Sequence, residues 1–142
     1  MSDRAESAAP THAASDFLAS LHRRAAPARR TILFPEATDP RTASAVHRLH
    51  QLGSVTPVLV RRGDAPTGVV PAGALIVDPL EDPRGAAVVE HLLARRGSRG
   101  LMREDAERLA RDPLYFADCL VALSEADGLS LIHISEPTRL RR

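Results

Sequence analysis

Apolar and polar positions alternate along this chain in short blocks whose periods switch between strand and helix. Residues 31–36 (TILFPE) form a β-branched and apolar run stopped by Pro35, the pattern of a buried strand. Asp39-Pro40-Arg41 then opens a helix, with Asp39 as cap and Pro40 at the first helical position. Ala43, Val46, Leu49 and Leu52 mark its inner face, and Gly53 ends it. A second strand is predicted at Thr56 to Val60. A Gly/Pro-rich connection follows from Arg61 to Gly73, then a third strand at Ala74 to Val77 closed by Asp78-Pro79.

From Pro83 the period is helical to about Arg96, with Ala87, Val88, His91, Leu92 and Arg95 on one side. Gly97 and Gly100 punctuate its end. Glu104 to Arg111 predicts a short charged helix with Ala106, Leu109 and Ala110 inward. Pro113 starts another, PLYFADCLVALSEA, with Tyr115, Cys119, Ala122 and Leu123 toward the core. Short strands alternating with helices, and no hairpin signal between strands, predict an α/β fold around a parallel sheet.

The N-terminal 14 residues are small and polar with no burying period, and they predict a disordered lead-in. Asp3, Glu6 and Asp16 argue against a transit peptide, and no apolar segment of a secretory signal is present. Ser15 is expected to cap a short helix carrying Phe17, Leu18 and Leu21 on one face.

Composition narrows the function classes. The net charge of +1 and only four aromatic residues (Phe17, Phe34, Phe116 and Tyr115) argue against a nucleic-acid partner. The single Cys119 excludes an internal disulfide and suits a reducing, cytoplasmic setting. No apolar run approaches the ~20 residues of a membrane span. Every basic side chain is Arg or His, with no Lys, and with the abundant Ala and Pro this points to a gene of high G+C content.

After Gly128 the character changes. Two of the four isoleucines fall within residues 129–139 (LSLIHISEPTR), which have no clear period and contain Pro137. This string resembles the translation of an adaptor used to prepare DNA sequencing libraries, so 129–142 is expected to be an artefactual tail that packs poorly or only opportunistically, its apolar start being able to pair as the next strand. Without Glu136, Arg139, Arg141 and Arg142 the net charge falls from +1 to −1, so the basic end is no sign of an anionic partner.

Five segments, in order, resemble phosphate acetyltransferases and the related phosphate butyryltransferases. They are FPEATDPRT (34–42), LGSVTPVLV (52–60), ALIVDP (74–79), ARRGSRGLMREDAERL (94–109) and DPLYFADCLVALSEADGL (112–129). Ala37, Arg61-Arg62 and Ser98-Arg99 depart from the usual residues of that pattern. The resemblance runs collinearly from about residue 16 to 128. It implies the N-terminal part (15–128) of a phosphate acyltransferase domain, an incomplete parallel-sheet three-layer unit of the isocitrate-dehydrogenase-like type. It also implies an acyltransferase interconverting acetyl-CoA and phosphate with acetyl phosphate and CoA, usually as a homodimer. Coenzyme A is then a substrate, and no resident cofactor, metal, nucleic acid or membrane is expected. The family's base (an Asp) and its Ser and Arg partners lie in the C-terminal half, so no catalytic residue is expected within these 142 residues and the fragment is expected to be inactive. The alternatives are a phosphate butyryltransferase fragment or a non-catalytic α/β ligand-binding module.

Among the residues present, Arg96 aligns with a family Arg facing the substrate cleft, and a guanidinium suits phosphate. The same run of Arg95, Arg96 and Arg99 also offsets the helix dipole without any ligand. Glu36 and Arg41 are read as a structural ion pair across the first strand–helix turn. His47 and His50 stand three apart as a metal pair would, but without a third ligand they read as solvated helix residues. Cys119, within an apolar helix, reads as an inert thiol. Arg62-Gly63-Asp64 reads as a turn, and Gly63, Gly68 and Gly73 lack phosphate-loop spacing.

Overall fold

The structure, a computed structural model, describes residues 12–63 and 70–132. Along them run α1 (His12–Ala25), β1 (Thr31–Phe34), α2 (Pro40–Leu52), β2 (Thr56–Val60), β3 (Leu75–Val77), α3 (Gly85–Arg96), α4 (Arg103–Ala110), α5 (Pro113–Ala122) and β4 (Gly128–Leu129). The strands form one sheet in the order β3-β2-β1-β4, and every pairing is parallel. The α/β parallel-sheet expectation holds.

Strand alternation sorts the core into two layers. Leu33, Val58 and Val60 face one way and pack with Val88, Leu92, Ala106, Phe116 and Leu120 from α3, α4 and α5. Phe34 and Leu59 face the other way and meet Val46 of α2. The β1–β2 connection therefore covers one face, and the route from β3 to β4 covers the other. Because β2 and β4 flank β1 on opposite sides, the chain reverses its direction across the sheet at β1.

Local chemistry explains the element ends. Asp39 accepts the Arg41 N–H at 2.8 Å, and Gly53, at φ +62°, returns its N–H to the carbonyls of Leu49 and His50. At the start of β4, Asp127 accepts the Thr31 N–H at 2.8 Å and an Arg30 guanidinium hydrogen bond at 2.6 Å. This fastens β4 to the beginning of β1.

Several expectations shift. Helix α1 begins at His12, before Ser15, and residues 1–11 of the lead-in lie outside the described residues. Its apolar face is uncovered: Phe17 is 63% exposed, and Leu18 and Leu21 are exposed beside it. Leu52, expected on the inner face of α2, is exposed. Strand β3 starts at Leu75, since the Ala74 N–H is taken by the Pro71 carbonyl in a turn. Helix α3 starts at Gly85, because Asp82-Pro83-Arg84 is itself a turn closed by the Gly85 N–H on the Asp82 carbonyl. Its buried face is Val88, Val89 and Leu92, while Ala87 and Arg95 are exposed. On α5 the buried residues are Phe116, Ala117, Cys119 and Leu120; Tyr115 and Leu123 are half-buried and Ala122 is exposed. That helix touches α3, α4, β2 and β4, so its buried arc is set by several neighbours at once.

The first residues of the expected tail pack on the sheet. Leu129 pairs with Leu33 in β4, and the N–H groups of Ser130 and Ile132 bond to the Leu33 carbonyl and to Glu36. An open edge of β1 offers acceptors to any extended segment. Residues 133–142 lie outside the described residues.

Candidate functional site

In an open parallel sheet, ligands favour the C-terminal edge where the chain reverses direction. That edge is built here from the ends of β1, β2, β3 and β4 and from the start of α2. Glu36 follows β1 and accepts the backbone N–H of Ile132. Asp78 follows β3 and ties two loops together, accepting the Gly63 N–H at 2.6 Å and the Leu80 N–H at 2.8 Å. Asp82 accepts the Arg84 N–H at 2.9 Å and two guanidinium hydrogen bonds at 2.7 and 2.8 Å. The hydrogen bond from Arg84 holds the Asp82 carboxyl below its ordinary range, against the opposing effect of burial.

The expected Glu36–Arg41 pairing is displaced. Arg41 bonds to Asp39 through Nε at 3.1 Å and Nη2 at 2.8 Å. Its charged form is favoured by that hydrogen bond first, and the pull of Glu36 is the smallest cause. Asp39 wins because it is two residues away on the same turn.

Arg96 lies in a cleft of about 290 Å³ between α3 and α5. His91, Leu92 and Arg95 contribute from α3, and Tyr115, Asp118, Cys119 and Ala122 from α5. The Arg96 guanidinium sits 5.9 Å from the centroid of the Tyr115 ring. This is the outer range of a cation–π contact, so the head stays available to another partner. Burial raises the Cys119 thiol pKa, helped by Asp118, while Arg96 and Arg95 oppose it. A protonated buried thiol is a wall and not a nucleophile. The cleft can thus receive an anion against an aromatic face, but it holds no poised nucleophile.

The two histidines separate. His47 lines an apolar groove of about 450 Å³ with Pro40, Ala43 and Pro71. His50 lies where a side chain on Gly73 would strike its Nε2, at 2.9 Å. Among the described residues no group of three or more His, Cys, Asp or Glu is arranged to hold a metal. Among them, too, no helix is long and apolar enough to cross a membrane. The sequence reading assigned no role to Arg61, whose Nε and Nη1 are buried without a hydrogen-bond partner. Continued strand alternation past Val60 was the signal available for it.

A family model described as "Phosphate acetyl/butaryl transferase" matches residues 16–131. Phosphate acetyltransferase from Paracoccus denitrificans is 34% identical over 108 residues, covering 76% of this chain and 32% of the relative. That from Helicobacter pylori is 31% identical over 119 residues, covering 80% of this chain and 23% of the relative. The chain thus spans a third or less of these two relatives' length. A phosphotransacetylase from Streptococcus pyogenes superposes with a TM-score of 0.69 at 25% identity, covering 84% of this chain and 39% of that one. For the EutD phosphotransacetylase from Staphylococcus aureus the TM-score is also 0.69, at 23% identity, covering 81% of this chain and 36% of that one.

Proposed function

This chain belongs to the phosphate acetyl/butaryl transferase family, and we propose that it supplies one part of an acyltransferase that interconverts acetyl-CoA and phosphate with acetyl phosphate and CoA. The observation that carries the reading is the family match over residues 16–131 on a parallel α/β sheet. The names of the relatives favour acetyl over butyryl transfer. Coenzyme A is a substrate on this reading and not a resident cofactor. The working protein is a cytoplasmic homodimer, a setting in which the free, buried Cys119 stays reduced.

Within this part, Arg96 takes a phosphate-bearing portion of a substrate. A guanidinium on an aromatic wall donates several hydrogen bonds while the ring restricts its swing. The step itself needs a base to make the CoA thiolate and donors for the tetrahedral oxyanion. The family resemblance puts those groups outside these residues, so this chain binds and orients.

The test is CoA-dependent formation of acetyl-CoA from acetyl phosphate, followed by thioester absorbance. It is run on the 142-residue chain and on a gene product extended to its relatives' length. The extended protein is expected to turn over and the short chain is not. In the extended protein, Arg96→Gln should raise KM for CoA or acetyl phosphate about tenfold, the effect of losing ~1.4 kcal/mol of binding, with kcat little changed. Arg99→Gln, outside the cleft, should leave both unchanged. Turnover by the short chain alone, or an Arg96→Gln enzyme with unaltered KM, contradicts this division of roles.

A further inference from the structure

The apolar stripe of α1 does not fix this helix to the protein. Phe17, Leu18 and Leu21 are exposed, and across residues 13–25 only Ser20, His22 and Ala25 are half-buried. Helix α1 packs chiefly on the short 3-10 turn Ala26–Ala28 that follows it. A surface helix is ordinarily held by burying such a stripe, and a 14-residue helix without that burial is marginal on its own. Something other than apolar burial therefore sets where α1 lies.

One side-chain bond does reach the body. Nδ1 of His22 lies 3.1 Å from Oγ of Ser54, in the turn between α2 and β2, and among the described residues it is the only side-chain hydrogen bond from α1 to the rest of the protein. Ser54 is 2% exposed, so breaking the bond leaves a buried hydroxyl unpaired unless water reaches it. The chain leaves α1 by way of Arg29, whose φ of +42° is left-handed and disfavoured for a residue with a Cβ. Arg29 is exposed and lines a cavity of about 280 Å³ with Gly53, Val55 and Pro57, so the backbone there has room to turn.

We propose that α1 is a hinged arm that turns about Arg29, with the His22–Ser54 bond as the latch that holds it beside the α2–β2 turn. The arm exchanges between this latched position and a freed one in which the helix frays, while the sheet and α3 to α5 stay folded. The left-handed φ belongs to the latched position, because a freed arm lets Arg29 relax to an ordinary one. Strain at the hinge thus favours release, and the latch opposes it. The device uses none of the residues of the Arg96 cleft and does not depend on the acyl-transfer reading.

Amide hydrogen exchange of the 142-residue chain, followed peptide by peptide in dilute protein, tests it. Residues 13–25 should exchange well ahead of β1 and β2 although they are helical. His22→Ala should speed their exchange about fivefold further, the worth of one net hydrogen bond, and leave β1, β2 and α5 unchanged. Ser54→Ala should do the same, and the double variant no more than either alone, since one bond is lost only once. His22→Asn, whose side-chain amide can reach Ser54 as Nδ1 does, should restore most of the protection. Arg29→Pro, with φ held at about −65°, excludes the latched position and should free the arm with His22 and Ser54 both intact. Exchange of 13–25 as slow as that of β1 and β2 overturns the inference, as do unaltered rates in His22→Ala or additive effects of the two latch substitutions. Should Ser54→Ala fail to fold, the comparison of His22→Ala with His22→Asn decides alone, and equal rates in the two overturn it.

Discussion

Four aspartates in this chain each precede a proline, and all four do the same work. Asp39, Asp78, Asp82 and Asp112 accept the backbone N–H two residues on, at 2.8, 2.8, 2.9 and 2.9 Å. Proline has no N–H and a fixed φ, so the first free donor lands where the carboxylate can reach it. Asp112 also accepts from Tyr115 at 3.2 Å, and Asp112→Ala should cost about 1 kcal/mol in chemical denaturation. Asp82 makes a pH prediction. Its folded pKa is depressed, chiefly by the hydrogen bond from Arg84, so its contribution is present above the ordinary carboxylate pKa and is lost as pH falls through the folded value. Asp82→Asn should therefore flatten the acid limb of stability against pH, and an unchanged limb counts against the pairing. Ser124 sits at φ +62° just after α5, where its N–H and that of Glu125 cap the carbonyls of Val121 and Leu120. A left-handed position there suits glycine, and Ser124→Gly should gain roughly 0.5 kcal/mol. The Asp39-Pro40 cap was legible in the sequence because it is wholly local. The Ser124 cap was not, since nothing in Leu-Ser-Glu names a left-handed residue.

At the scale of elements, the order of strands and helices followed from period and punctuation, but the buried phase of the helices did not. Helix α5 is apolar over most of its circumference, so its sequence leaves several arcs equally plausible. Contact with α3, α4, β2 and β4 selects the arc of Phe116, Ala117 and Leu120. Phe116→Ala should therefore cost about 3–5 kcal/mol, the penalty of an emptied aromatic site. Ala122→Ser, on the exposed side, should fall within roughly 0.5 kcal/mol of the parent. Urea midpoints of the two variants decide the phase; equal midpoints would contradict it. Helix α1 shows the opposite case. Its apolar stripe was readable, yet no described element covers Phe17, Leu18 and Leu21.

For the whole molecule, the sheet ends at β3, where Leu75 is 55% and Ile76 43% exposed. An edge strand with exposed apolar side chains is a template for pairing with another chain. The uncovered stripe of α1 adds to the apolar surface open to water. Self-association that grows with protein concentration is expected in sedimentation velocity, and Ile76→Lys should reduce it, since a charge on an edge strand opposes pairing. A monomer at all concentrations would refute this. Relatives of three times the length have more chain with which to cover such faces, and a gene product extended to their length should associate no further than a dimer.

What the sequence determined by itself was the class of the fold, the order of its elements, the caps at Asp39 and Gly53, and the family likeness. Each depends on residues a few positions apart, where proline, glycine and apolar period act directly on the backbone. The tertiary structure alone decided that β4 returns to the free side of β1, which puts the chain reversal beside Glu36. It alone brought Tyr115 under Arg96 and left Nε and Nη1 of Arg61 buried without a hydrogen-bond partner. Those outcomes join residues from distant elements, and strand alternation names a face of the sheet without naming the helix that covers it.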